Sequence, residues 1–176
     1  VLFHALHASQ RGCGWWQWPR RLRRSDSPSV RSFARSHSEL LEREVLAQLL
    51  FFEQWQQLKT YCNDRGILLV GDLPIYVGHN SADVWAHQRC FKLSGDGRPK
   101  AVSGVPPDYF SKTGQLWNTP VYDWEYLQGD GFAWWLHRMS INTTRFDLLR
   151  IDHFRGLVQY WEVPAGQRTA VNGQWQ

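Results

Sequence analysis

The chain has 176 residues, 43% of them hydrophobic and 20% charged, with a formal net charge of +4, which describes an ordinary globular chain and excludes disorder. No apolar run is long enough to span a bilayer, and Val1 to Ala8 has neither the basic start nor the apolar length of a secretory signal, so no membrane partner and a cytoplasmic location are expected. Cys13, Cys62 and Cys90 stand at spacings that fit neither a disulfide framework nor a metal site and read as reduced thiols.

Along the chain, His4 and His7 lie three residues apart, but no third ligand has suitable spacing, so no metal is expected. Trp15, Trp16 and Trp18 follow, part of a set of 11 Trp that helps bring aromatics to 15%. That exceeds what core filling needs, and flat aromatic faces are what sugar rings stack on. The run Arg20, Arg21, Arg23 and Arg24 raises the question of nucleic acid. Without zinc-finger spacing or an RNA-binding signature it reads as a solvated loop, and no nucleic-acid partner is expected. Arg20 to Pro28 is a surface connector.

A long helix is predicted next. Ser36 with Glu39 forms a capping-box pattern, Leu41, Val45, Leu49, Phe52, Trp55, Leu58 and Cys62 recur along one face, and Gly66 ends it. Ile67 to Val70 then reads as a strand buried on both faces and terminating at Asp72. From Pro74 to Tyr126 the pattern is irregular, Pro- and Gly-rich and aromatic, with one helical turn near Ser81 to Ala86; excursions of this length in compact domains are usually functional. A second helix is predicted from Gly131 to Asn142, with Phe132, Trp135 and Met139 on one side. It leads into a strand from Phe146 to Ile151 that ends at Asp152. Helix, buried strand and terminal carboxylate thus occur twice, which implies an α/β fold with a parallel sheet and helical crossovers. No Gly-rich phosphate loop follows either strand, so a β/α barrel, with both aspartates at the carboxyl ends of strands, is the better fit than an open doubly wound sheet. A complete barrel needs about 250 residues, so the expectation is a partial one. Val1 and Gln176 both read as cut ends.

Several motifs in order sharpen this: Gly71-Asp72-Leu73-Pro74-Ile75-Tyr76-Val77, Ser81-Ala82-Asp83-Val84-Trp85, Gly104-Val105-Pro106-Pro107-Asp108-Tyr109-Phe110-Ser111, Gly114-Gln115-Leu116-Trp117 and Arg150-Ile151-Asp152-His153-Phe154-Arg155-Gly156. Together with Trp15-Trp16-Gln17-Trp18-Pro19 and Val163-Pro164-Ala165-Gly166, they resemble the successive signatures of the amylomaltase (4-α-glucanotransferase) family of the α-amylase superfamily across nearly the whole chain. The resemblance implies a piece of a catalytic (β/α)8 barrel carrying its third and fourth strands, with residues 104–122 as a lid loop between them. It implies transfer of 1,4-α-glucan segments to acceptor glucans or glucose, through a covalent glycosyl-enzyme, without cofactor. In a photosynthetic eukaryote the location would be a plastid.

By the same resemblance Asp152 is the catalytic nucleophile, and the chemistry is coherent: a retaining mechanism needs an ionised carboxylate kept charged by a cation. Arg150, two residues earlier on the same strand, points to the same side and can supply that charge. His153 resembles the histidine that bonds a glucose hydroxyl beside the attacked bond, and Asp72 an aspartate beneath the active site. In the lid, Trp117 and Phe110 are candidates for sugar stacking, Gln115 for a hydroxyl contact and Asp108 for the acceptor region. A lid that excludes water favours transfer over hydrolysis.

Three departures stand out. Asn118-Thr119 follows Trp117 where the family commonly has Gly-Asn, Gln167 stands where an acidic residue is frequent, and the Arg20 to Arg24 run replaces a more acidic stretch. The family's acid/base glutamate and second essential aspartate follow the fifth and seventh strands, beyond Gln176, and Glu162 is a poor substitute. The chain alone is therefore expected to be inactive. A related α-glucan hydrolase, which shares the nucleophile, and a non-catalytic carbohydrate-binding remnant are the alternatives.

Overall fold

A computed structural model describes residues 1–176. Helix α1 (Leu2–Ser9) turns Phe3, Ala5 and Leu6 inward, and a 3-10 turn at Trp15–Gln17 sends Trp15 and Trp18 to the core. Both indole N–H groups find a carbonyl, Trp15 Nε1 that of His79 at 2.7 Å and Trp18 Nε1 that of Cys13 at 3.0 Å. The arginine run is partly structural: Leu22 is buried, Arg23 donates to the Trp18 carbonyl at 2.6 Å, and Arg24 pairs with Asp26 at 2.9 Å.

Helix α2 (Pro28–Ser36) begins on a Ser-Pro signal: the Ser27 hydroxyl accepts from the Val30 amide at 3.2 Å, and Pro28 occupies the first turn, where its missing N–H costs nothing. Helix α3 (Ser38–Asn63) follows at once. The expected capping box at Ser36 is not formed. Ser36 ends α2, its hydroxyl engaged by the Ser32 and Phe33 carbonyls, and the N-cap of α3 is His37, without a side-chain cap bond. The predicted apolar stripe of α3 is present in sequence but only partly covered: Leu41, Trp55 and Cys62 are half-buried, whereas Val45, Leu49, Phe52 and Leu58 are exposed. Polar fasteners hold its C-terminal half. Trp55 Nε1 donates to the Arg145 carbonyl at 2.8 Å, and Asp147 accepts from Asn63 Nδ2 at 2.9 Å and the Leu69 amide at 2.8 Å while pairing with Lys59. Those bonds hold the Asp147 carboxyl below its usual range, the Leu69 amide contributing most.

Strand β1 (Val70–Pro74) begins three residues later than expected. It alternates exposed and buried, with Gly71 and Leu73 inside, and Ile67, Leu68 and Val70 are exposed. The expectation of a strand buried on both faces is therefore corrected: β1 has a single neighbour, and only one of its faces meets the core. Asp72 is its central residue and not its end. The neighbour is β4 (Leu148–Asp152), parallel, in the register Asp72↔Arg150 and Pro74↔Asp152; as expected, β4 ends at Asp152. The helix before it, α6 (Ala133–Arg145), starts and ends slightly later than predicted, after Phe132 turns the chain in the left-handed region.

The excursion between these strands is irregular only in part. Helix α4 (Ala82–Ala86), capped by Ser81, lies where one helical turn was expected. Strands β2 (Ala101–Val105) and β3 (Gln115–Pro120) then form a hairpin, and helix α5 (Trp124–Gly129) follows. With β5 (Trp161–Pro164) and β6 (Gln174–Trp175) the hairpin builds an antiparallel sheet in the order β3-β2-β5-β6. Residues 104–122 accordingly comprise the end of β2, the tip, the whole of β3 and the chain leading towards α5. At the centre of the core, Tyr122 lies 5.1–5.7 Å, centroid to centroid, from the rings of Tyr76, Phe91, Trp124, Trp134 and Trp135. Its hydroxyl donates to the Ile75 carbonyl at 2.5 Å, and Arg138 donates to the Pro74 and Ile75 carbonyls at 2.7 and 3.3 Å. The aromatic core thereby clamps the exit of β1 beside Asp152.

Candidate active site

Residues two apart on a strand share a face, and opposed residues of paired strands share it too. The β1–β4 register therefore gathers Asp72, Arg150 and Asp152 on one open face. Arg150 Nη2 donates to Asp152 Oδ1 at 2.9 Å, and its Nε lies 3.4 Å from Asp72 Oδ1, so one guanidinium bridges two carboxylates. The bond to Asp152, reinforced by the charges of Asp72 and Asp152, raises the Arg150 pKa above its ordinary value. All three side chains are about 60% exposed. Ion pairs this exposed add little to stability. The cluster is an accessible, net negative constellation whose carboxylates are held in place by a cation.

His153 follows with a left-handed backbone, φ 53°, that turns its ring aside from the strand. The ring meets Trp117 edge-on at 4.9 Å. Its Nε2 is buried without a hydrogen-bond partner. Burial lowers its pKa, the Asp152 charge opposing, so the imidazole is neutral at neutral pH. Gly156 makes this placement possible, because a Cβ there would lie 2.7 Å from Ile75 Cδ1 and 3.1 Å from His153 Cδ2.

Trp117 reaches the site from β3. Its ring lies 6.1 Å from that of Tyr76, and Nε1 donates to Gln115 Oε1 at 3.1 Å. Asn118 next to it adopts φ 57°, the left-handed angle that glycine takes freely. The β2–β3 pairing shifts register here, passing from Val102↔Pro120 to Gly104↔Leu116, so β3 bulges beside Trp117. Asp108 and Phe110 sit instead at the hairpin tip. Asp108 Oδ1 accepts from the Phe110 and Ser111 amides at 2.9 and 2.7 Å and so holds the turn. Phe110 is 94% exposed and packs edge-on against Tyr109. No hydrogen bond, ion pair or ring contact links either residue to the Asp152 cluster.

Sequence reasoning missed Tyr76, which supports Trp117, and Gly156 and Arg138, which set the position of His153 and the β1 exit. Gly156 was visible inside the His153 motif. Arg138, on a helix distant in sequence, carried no signal.

A protein-family model for 4-alpha-glucanotransferase matches residues 1–176. The 4-alpha-glucanotransferase of Aquifex aeolicus is 48% identical over 175 residues, which cover 99% of this chain and 36% of that protein. The chloroplastic/amyloplastic 4-alpha-glucanotransferase of Solanum tuberosum is 42% identical over 174 residues, 99% of this chain and 30% of its own length. Among solved structures, the amylomaltase from Streptococcus agalactiae in complex with acarbose superposes with a TM-score of 0.93 at 38% identity, covering 99% of this chain and 36% of that one. The chain thus spans about a third of the length of these relatives, and it belongs to the 4-alpha-glucanotransferase family.

Proposed function

We propose that this chain contributes the nucleophile and part of the sugar-binding surface of a retaining 4-α-glucanotransferase, on the third and fourth strands of a (β/α)8 barrel. The observation that carries the reading is the Arg150 bridge between Asp72 and Asp152 at the end of a parallel strand, in a chain of this family. Asp152 attacks the anomeric carbon of an α-1,4-linked glucose unit. The bond to the leaving 4-oxygen breaks, and the glycosyl unit is carried on the Asp152 carboxylate until the 4-hydroxyl of an acceptor glucan displaces it. Arg150 donates to the nucleophile's Oδ1 at 2.9 Å and fixes its orientation. The His153 imidazole beside Asp152 is matched to a sugar hydroxyl, and Trp117 supplies an apolar face for a pyranose ring. Asp72 holds Arg150 in place. The hairpin carrying Asp108, Phe110, Gln115 and Trp117 is the lid, with Phe110 free at its tip to meet the glucan.

Protonation of the leaving oxygen needs a second carboxyl group about 5 Å from the nucleophile. Glu162 is engaged elsewhere, with Lys92 Nζ at 2.6 Å and the Tyr160 hydroxyl at 3.2 Å. The 176 residues by themselves are therefore inactive, and the acid/base glutamate belongs to another part of the same barrel. Mass spectrometry after reaction with an activated fluorosugar tests the assignment on the protein encoded by the whole reading frame. The peptide containing Asp152 should carry the glycosyl label, and Asp152→Asn should abolish both label and maltotriose disproportionation. A label on any other carboxylate refutes the assignment, as does disproportionation of maltotriose by residues 1–176 alone.

A further inference from the structure

A second cleft, of about 730 Å³, opens where the connector after the arginine run meets α4, α5 and the start of α6. None of its lining residues belongs to β1, β4 or the β2–β3 hairpin, so it is separate from the Asp152 cluster. Its volume lies in the range of small-molecule sites. Buried Trp85 and Trp134 provide the apolar part of its lining, and Trp85 Nε1 is already satisfied by the Leu22 carbonyl at 3.0 Å.

The polar lining falls into two groups. Arg24 and Asp26 satisfy each other. His87, Arg89, Asp130 and His137 are exposed, and their side chains make no hydrogen bond or ion pair; the Tyr126 hydroxyl is likewise without a partner. Helix ends thus hold donors and acceptors around one space without joining them to one another.

The balance of charge decides the ligand class. Two guanidinium groups face two carboxylates, so an anion gains nothing on entering and meets Asp26 and Asp130. The two imidazoles have no third ligand, and no group of three metal-ligating side chains converges here or elsewhere. A purely apolar ligand would strand the open polar heads. What remains is a neutral molecule dense in hydroxyls with one apolar face. Arg89 and Asp130 can each bond vicinal hydroxyls, the imidazoles can donate or accept, and the Tyr126 ring, 36% exposed, offers a stacking face.

We infer that this cleft is a second, non-catalytic binding site for α-glucan, read by Arg89, Asp130, His87, His137 and Tyr126. The inference rests on the glucan reading of the chain. Its function is to hold one stretch of a polymer while another reaches Asp152, which raises the effective concentration of chain ends.

The test is titration of the isotopically labelled 176-residue chain with maltoheptaose, followed by NMR at the His87 and His137 imidazoles and the backbone. Saturable shifts at the cleft are expected, weakened at least tenfold by Arg89→Ala and by Tyr126→Ala and unchanged by Trp117→Ala. Both cleft substitutions are at exposed positions, and retained dispersion elsewhere in the spectrum verifies their fold. Several outcomes overturn the inference: no saturable shift at the cleft, cleft shifts lost only in Trp117→Ala, or cleft shifts produced by inorganic phosphate at lower concentration than by maltoheptaose. Binding here is read independently of transfer, so loss of the Asp152 assignment would leave this result standing, and the reverse holds too.

Discussion

Tyr122 offers a separable test of how the core holds the site. Its ring is fully buried among five other aromatic rings, and its hydroxyl donates to the Ile75 carbonyl at 2.5 Å. Tyr122→Phe removes that bond and leaves the ring. The Ile75 carbonyl is not orphaned, because Arg138 Nη1 still reaches it at 3.3 Å, so the loss should be that of one net hydrogen bond, about 1 kcal/mol. Tyr122→Ala also removes the ring and opens a cavity, which costs about 3–5 kcal/mol. In a chain of this size 1 kcal/mol corresponds to about 2–4 °C in Tm. Urea unfolding followed by tryptophan fluorescence, together with thermal melts by circular dichroism, should place Tyr122→Phe a few degrees below the parent and Tyr122→Ala several times further. Equal losses for the two variants would refute the reasoning, since the hydroxyl and not the packing would then carry the energy. A Tyr122→Phe variant as stable as the parent would mean that Arg138 alone satisfies Ile75.

Two further outcomes follow from the geometry. His79 and His153 have pKa values lowered by burial, so as pH falls through about 6.5 the unfolded chain takes up protons before the folded one. Stability is thus full above that pH and declines below it; a Tm at pH 5.5 equal to or above that at pH 7.5 would contradict this. Gly71→Ala would put a Cβ 2.4 Å from Phe146 Cδ2 and 2.8 Å from Leu149 Cδ2, an overpacking of about 1–3 kcal/mol in urea unfolding. Trimming the obstacle with Phe146→Leu should recover part of that loss, and no recovery would point to strain in the β1 backbone instead.

What was legible in the sequence was local. The α3 stripe, the helical turn capped by Ser81 and the strand ending at Asp152 follow from patterns within one segment. The Ser27-Pro28 start of α2 is equally local, though it falls in what was expected to be a connector, and the Ser36–Glu39 match fails because the Ser36 hydroxyl serves the helix behind it. The antiparallel sheet was illegible for a different reason. Ala101-Val102-Ser103-Gly104 is buried throughout and shows no alternation, β3 contains Pro120 and a bulge, and β2 pairs with β5, about sixty residues further on. Periodicity names the apolar face of α3 but not its cover, so the exposure of Leu49 and Phe52 could not be read from it. At the site, Arg150 and Asp152 were placed by strand alternation. The neutral state of His153 could not be, since it depends on packing against a residue from another strand.

The parallel register of β1 and β4 has an evolutionary corollary. Side chains alternate faces along a strand, so inserting or deleting a single residue within β1 would set Gly71 or Leu73 opposite Arg150 and drive Asp72 toward the core. Point replacements in these strands can be graded in severity; length changes cannot. The hairpin tip from 106 to 114 is bounded by paired strand ends and can gain or lose residues without altering that phase. Natural variation in length across this segment should therefore collect at the tip and be excluded from the two strands that present the carboxylates.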